Sequence, residues 1–196
     1  MIKKYLSGIK LLLIGICFSA SSCEPIYIPD PIDPRLPKYT EDGNNVAGAF
    51  INDELWKSEY FPGWFSTSGE PMIQYFSSRD SLSITFFGAI DEPYYYEDIS
   101  FGFRGLGVTS LAELVKLNET KIELDGINST ANAYRSSDCV APGSGQLYFR
   151  SMTFNTETGH LTLSGTFGFN QDDPACGKIS VTYGRFDFTV SDFIPM

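Results

Sequence analysis

Histidine is nearly absent from this 196-residue chain, and His160 is the only one. A Ser-His or Cys-His nucleophilic pair, or a histidine-rich metal site, has almost nothing to be built from. His160 follows Gly159 in a turn-like stretch, where an exposed, structural role is expected. The chain also lacks a G-x-S-x-G elbow, an H-E-x-x-H pair, a P-loop and a D-x-D-x-D-G calcium loop, so no cofactor is expected. Cations are scarce: 14 Lys and Arg stand against 24 Asp and Glu, for a formal net charge of -10. Such a surface repels nucleic acid, whose binding needs cations that displace counterions from phosphate. The apolar run around "LLLIGICF" covers roughly ten residues, short of the ~20 that cross a bilayer as a helix.

That run does have a use. With Lys3 and Lys4 before it and "SASS" after it, it has the three-part layout of a secretory signal. Two cleavages compete. An ordinary signal peptidase would cut near Ala20 and leave Cys23 as a spare thiol. A lipoprotein pathway would cut before Cys23 and acylate it. "ASSC" resembles a bacterial lipobox in its small residues, although Ala20 stands where Leu is commoner; Cys17, preceded by Ile16, fits poorly. Lipidation of Cys23 is therefore expected. Several acyl chains, at ~0.8 kcal/mol per buried methylene, make a durable anchor. The implied location is the outer membrane, reached through the lipid. Glu24 and Asp30 resemble a spaced-out surface-export signal and favour the cell surface over the periplasmic face.

The domain plan reads as a signal peptide over 1–22, a Pro-rich acidic linker over 23–43 and one β domain over 44–196. Prolines at 25, 29, 31, 34 and 37 forbid a helix or central strand and favour an extended spacer. Cys139 and Cys176 are the cysteines of the β domain. Outside the cytoplasm they are expected to form a disulfide, adding roughly 3–4 kcal/mol on a chain-entropy estimate. A metal site would need ligands at short spacing, such as CxxC.

Within the domain the pattern is of period two. Leu161, Leu163, Phe167 and Phe169 alternate with His160, Thr162, Ser164 and Thr166. Leu82, Ile84 and Phe86 repeat the alternation, as do Ile99, Phe101 and Phe103, and Ile122 with Leu124. In "GKISVTYGRFDFTV" the phase slips: Ile179, Val181 and Tyr183 share one face, but Phe186, Phe188 and Val190 share the other. A bulge at or near Gly184 is predicted. "TETG" should turn a hairpin with Gly159 at positive φ, whereas "FNQDDPACGK" reads as a longer connection. "SLAELVKL" predicts one short helix, capped by Ser110 and Glu113, with Leu111, Leu114 and Val115 facing inward. Arg185 and Asp187, on one face of their strand, read as a structural ion pair. The fold class is all-β, an antiparallel sandwich or partly closed barrel with one short helix.

Two stretches carry a resemblance. "GNNVAGAFINDELW" looks like the opening of an uncharacterised family of Bacteroidota lipoproteins, in which N-x-x-G leads into a strand, an N-G turn and a Trp. "LSGTFGF" with "VTYGRFDF" is similar to that family's closing strands. The resemblance brackets roughly residues 43 to 190 and implies an exported lipoprotein with an all-β domain, but no reaction. Asp53 replaces the glycine of the N-G turn, which puts the tightness of that hairpin in question.

Paired carboxylates occur at Asp91/Glu92, Glu97/Asp98 and Asp172/Asp173. Adjacent strand residues point to opposite faces, so no such pair can by itself flank a glycosidic bond. The aromatics offer a better hint. Tyr60 and Trp64 fall in "EYFPGWF", and Tyr94, Tyr95 and Tyr96 stand among acids. Rings beside carboxylates suit sugars, although aromatics also fill β cores. The leading expectation is a non-catalytic, lipid-anchored binding or interaction module for a glycan or an envelope protein. A lipocalin-like carrier of a small apolar ligand comes second, and a hydrolase third.

Overall fold

The computed structural model describes residues 33–58, 70–91, 94–134 and 141–196. By its contacts the chain divides into Met1–Asp33 and Pro34–Met196, and the second unit carries every element named below. The described residues form β1 (Val46–Ile51), β2 (Glu54–Ser58), β3 (Met72–Phe76), β4 (Ser81–Phe86), β5 (Gly88–Asp91), β6 (Tyr94–Tyr96) and β7 (Asp98–Arg104). After a 3-10 helix, Leu111–Leu117, come β8 (Thr120–Leu124), β9 (Ser129–Tyr134), β10 (Ser144–Asn155), β11 (His160–Asp173), β12 (Gly177–Val190) and β13 (Ile194–Pro195). One sheet runs β6-β5-β2-β1-β12-β11-β10-β8, and the other β13-β3-β4-β7-β9. Only the two-residue β13 pairs in parallel; the other described pairings are antiparallel.

The period-two residues do what their spacing requires. Leu82, Ile84, Phe86, Ile99, Phe101 and Phe103 from one sheet meet Leu161, Leu163, Phe167, Phe186 and Phe188 from the other in one buried cluster. Phe86 lies at its centre, with ring centroids 5.1 Å from Phe186, 5.2 Å from Phe188, 5.7 Å from Phe101 and 6.0 Å from Phe167. Among the described residues the two sheets form no closed barrel. Rings occupy the space between them, where a lipocalin-like carrier would need an apolar chamber.

The predicted bulge is present. Phe167 pairs with Gly184 but Phe169 with Val181, so Thr182 and Tyr183 together oppose Gly168. The slip turns Tyr183 outward: it is 66% exposed, not on the inward face it shares in sequence with Ile179 and Val181. The 156–159 turn also forms as expected, with Gly159 at φ +76°. The first hairpin is tight despite Asp53. Asn52 (φ 51°) and Asp53 (φ 68°) are its only loop residues, and Ile51 pairs with Glu54.

Three expectations need correction. The stretch expected to be a long connection is mostly strand: β11 runs to Asp173 and β12 starts at Gly177. Asp173 Oδ1 accepts from the amides of Ala175 (2.8 Å) and Cys176 (3.3 Å), which closes the turn. The helix over 111–117 is 3-10, so its buried face repeats every third residue: Leu111, Leu114 and Leu117. Val115 is 37% exposed for that reason. Ser110 makes no side-chain cap; Glu113 Oε2 instead accepts from Thr109 N (2.6 Å) and Thr109 Oγ1 (3.0 Å).

The third correction concerns the linker. Residues 34–43 belong to the folded unit, as a strap lying on the outer face of the larger sheet. Leu36 is 5% exposed, and Pro37 packs on Gly48 so closely that a Cβ there would sit 2.4 Å from Pro37 Cδ. Asp187, 1% exposed, accepts from Thr40 Oγ1, the amides of Asp42, Gly43 and Asn44, and Asn44 Nδ2. Arg185 shares that face as expected, and its Nη1 donates to Pro37 O (3.3 Å). Arg150 lies over the Tyr39 ring (4.9 Å) and its Nε reaches Glu41 Oε1 (2.7 Å). Proline forbids a helix in this stretch, but it does not stop the chain from docking, through a turn at Pro34 and Arg35, on a sheet face.

Burial pushes the pKa of Tyr39 up to about 12, against smaller opposing effects of Ser164 and Arg150. The folded state thus holds a proton that the unfolded state gives up near pH 10. Stability from this residue is complete below about pH 10 and is lost as the pH rises toward 12. The melting temperature should fall more steeply over that window in the wild type than in Tyr39→Phe. Equal slopes would show that Tyr39 ionisation is not coupled to folding.

Candidate binding groove

The residues singled out in the sequence are not gathered into one described site. Cys23, Tyr60, Trp64 and Cys139 lie outside the described residues. Tyr94, Tyr95 and Tyr96 form edge strand β6, pairing with Asp91, Ile90 and Ala89. Tyr96 is 59% exposed; the side chains of Tyr94 and Tyr95 fall outside the description. Cys176 is partly buried and packs against the core cluster.

Glu92 and the side chain of Asp91 lie outside the described residues, and the other two carboxylate pairs separate as strand geometry requires. Glu97 is buried beside Trp56, whose Nε1 donates to Glu97 O (2.6 Å). Asp98 is half-buried, and burial raises its pKa against a backbone hydrogen bond from Gly88. Asp172 is exposed, while Asp173 is buried and accepts from Ala141 N (2.7 Å). His160 is exposed at the start of β11. Among the described residues, no group of three or more His, Cys, Asp or Glu could hold a metal ion. No helix among them is long and apolar enough to cross a membrane.

A different set of residues does converge. On the outer face of the larger sheet, β8, β10, β11 and β12 line an open groove of about 940 Å³. Lys121 of β8 pairs with Tyr148 of β10, and Tyr148 with Thr166 of β11. In the next outward row Glu123, Gln146 and Gly168 follow one another, ending at the bulge with Thr182 and Tyr183. Asn170 and Ser180 form a third pair. The floor at Gly168 has no side chain, and a Cβ there would have only Val181 O within 4 Å, at 3.3 Å.

Tyr183 is the most constrained of these residues. Its φ of 54° is left-handed, which costs a non-glycine residue roughly 1–2 kcal/mol. Backbone strain of this kind persists where the fold enforces it, and bulges commonly re-aim a side chain beside a site. The Tyr183 ring meets Phe50 edge-on, at 6.3 Å and 88°. Arg35 of the strap lies 4.9 Å over Phe50. The ring is thus contacted from the β1 side and is exposed where it lines the groove.

No family profile, curated protein or solved structure matches the chain. The sequence offered one usable signal for this groove, the phase slip ahead of Gly184. Tyr148 carried none, because an outward tyrosine on a strand reads like any other half-buried position.

Proposed function

We propose that this chain is a lipid-anchored protein of the outer membrane whose β domain binds a glycan in the outer-sheet groove without cleaving it. The observation that carries the reading is the composition of the groove. Two tyrosine rings flank a bare glycine floor among the amides of Gln146 and Asn170 and the hydroxyls of Thr166, Ser180 and Thr182. Rings cover the apolar face of a sugar, and fixed amides and hydroxyls pair with its hydroxyl groups. Glu123 is the one carboxylate among the described lining residues, whereas glycoside hydrolysis ordinarily uses two facing carboxyl groups.

The anchor rests on the lipobox-like "ASSC" at Cys23 and on the resemblance to Bacteroidota lipoproteins. Pairing of Cys176 with Cys139 belongs to the same reading, and peptide mapping without reductant tests it.

The full chain should be retained by at least one member of a panel of insoluble polysaccharides. Gly168→Val, which fills the floor where a Cβ would meet Val181 O at 3.3 Å, a tight contact that a shift of a few tenths of an ångström relieves, should weaken that retention about tenfold or more. It should shift the melting temperature by no more than a few degrees. The reading fails if no polysaccharide retains the wild type, or if Gly168→Val is retained equally well.

A further inference from the structure

We infer that the groove takes an uncharged, linear oligosaccharide of at least two sugar rings, bound mid-chain along a diagonal from Tyr148 to Tyr183. This rests on the glycan reading above and adds the ligand's length, charge and mode of binding.

The length comes from the ladder. Tyr148 is on β10 and Tyr183 on β12, so two strand spacings of ~4.8 Å separate them sideways, about 10 Å in all. Along the strands, the β11 partner of Tyr148 is Thr166, whereas Tyr183 stands opposite Gly168. Two residues at ~3.4 Å each add about 7 Å, for a diagonal of about 12 Å. One sugar ring cannot cover both tyrosines at that separation. A chain can, and it would cross the bare Gly168 on the way.

The charge comes from the lining. Lys121 and Glu123 lie two residues apart on the same face of β8 and offset each other. The other outward-facing residues of the lining are uncharged, and the chain as a whole carries -10. A polyanionic glycan would meet repulsion without a cationic cluster to offset it.

The mode of binding comes from the shape. The groove lies open on a sheet face, so a chain can continue past both tyrosines.

The test is titration of the full chain with cello-, xylo-, manno- and malto-oligosaccharides, each from the monosaccharide to the hexasaccharide. Alginate- and heparin-derived oligosaccharides serve as the charged counterparts. In at least one neutral series, affinity should rise about tenfold or more from monosaccharide to trisaccharide and then level off. Tyr183→Ala and Tyr148→Ala should each return the trisaccharide to near the monosaccharide's affinity. Tyr183→Phe should keep the gain, because the ring face and not the hydroxyl is used. Circular dichroism of each variant checks that the fold is kept, and Gly168→Val blocks the same diagonal without removing a ring.

Binding that ignores chain length, or that prefers the anionic series, overturns this inference and leaves glycan binding intact. No binding by any series, together with no polysaccharide retention, overturns both readings. So does binding untouched by all three groove positions.

Discussion

Asp187→Ala detaches the strap over residues 40–44 and lowers the unfolding free energy by about 3 kcal/mol. The carboxylate is buried and accepts five hydrogen bonds from one short segment. Removing one partner of such a buried, charge-assisted network costs about 3–5 kcal/mol when the other groups stay buried. Here the strap can leave the sheet and rehydrate its amides, so the loss sits at the lower end. Hydrogen exchange should show lost protection at Asp42, Gly43 and Asn44, with the paired amides of β11 and β12 still protected. Asp187→Asn, which keeps one acceptor oxygen, should lose less. Unchanged protection at those three amides in Asp187→Ala would mean that the strap is held by Leu36 and Pro37 instead.

Phe86→Ala has the larger effect on the core, a loss of about 3–5 kcal/mol. Phe86 is 1% exposed and meets rings from both sheets. Its removal leaves a cavity and takes away edge-on and tilted ring contacts of about 0.5–1.5 kcal/mol each, not all of them independent. Against a typical total of 5–15 kcal/mol this is a large share. Denaturant unfolding should show a lower midpoint with an unchanged slope, and Phe86→Leu should restore about half. A loss below about 1 kcal/mol would mean that the two sheets close over the gap.

These two residues mark the boundary between what could be read in advance and what could not. Phe86 sits in the alternation of Leu82, Ile84 and Phe86, which one strand displays by itself. Asp187 reads in the sequence as half of an ion pair with Arg185, but its role needs the partners that the strap brings from more than 140 positions away. The stretch holding Pro34 and Pro37 reads as extended whether it floats or docks, because proline constrains φ and not contacts. The helix falls where the sequence predicts it, yet Leu117 instead of Val115 is buried, because the apolar spacing does not distinguish the tighter three-residue turn. By its alternation with Ile179 and Val181, Tyr183 belongs on the inward face; the bulge begins just early enough to turn it out.

The sequence by itself determined the all-β class, the inward face of most strands and the place of the bulge. Each of those follows from side chains alternating along a single strand. Tertiary structure decided that the outer face is divided between a docked strap and an open groove, and that Tyr148, Gly168 and Tyr183 share the open part. Those facts depend on which strands are neighbours and in what register. Pairings between distant strands leave no periodic trace in any one of them.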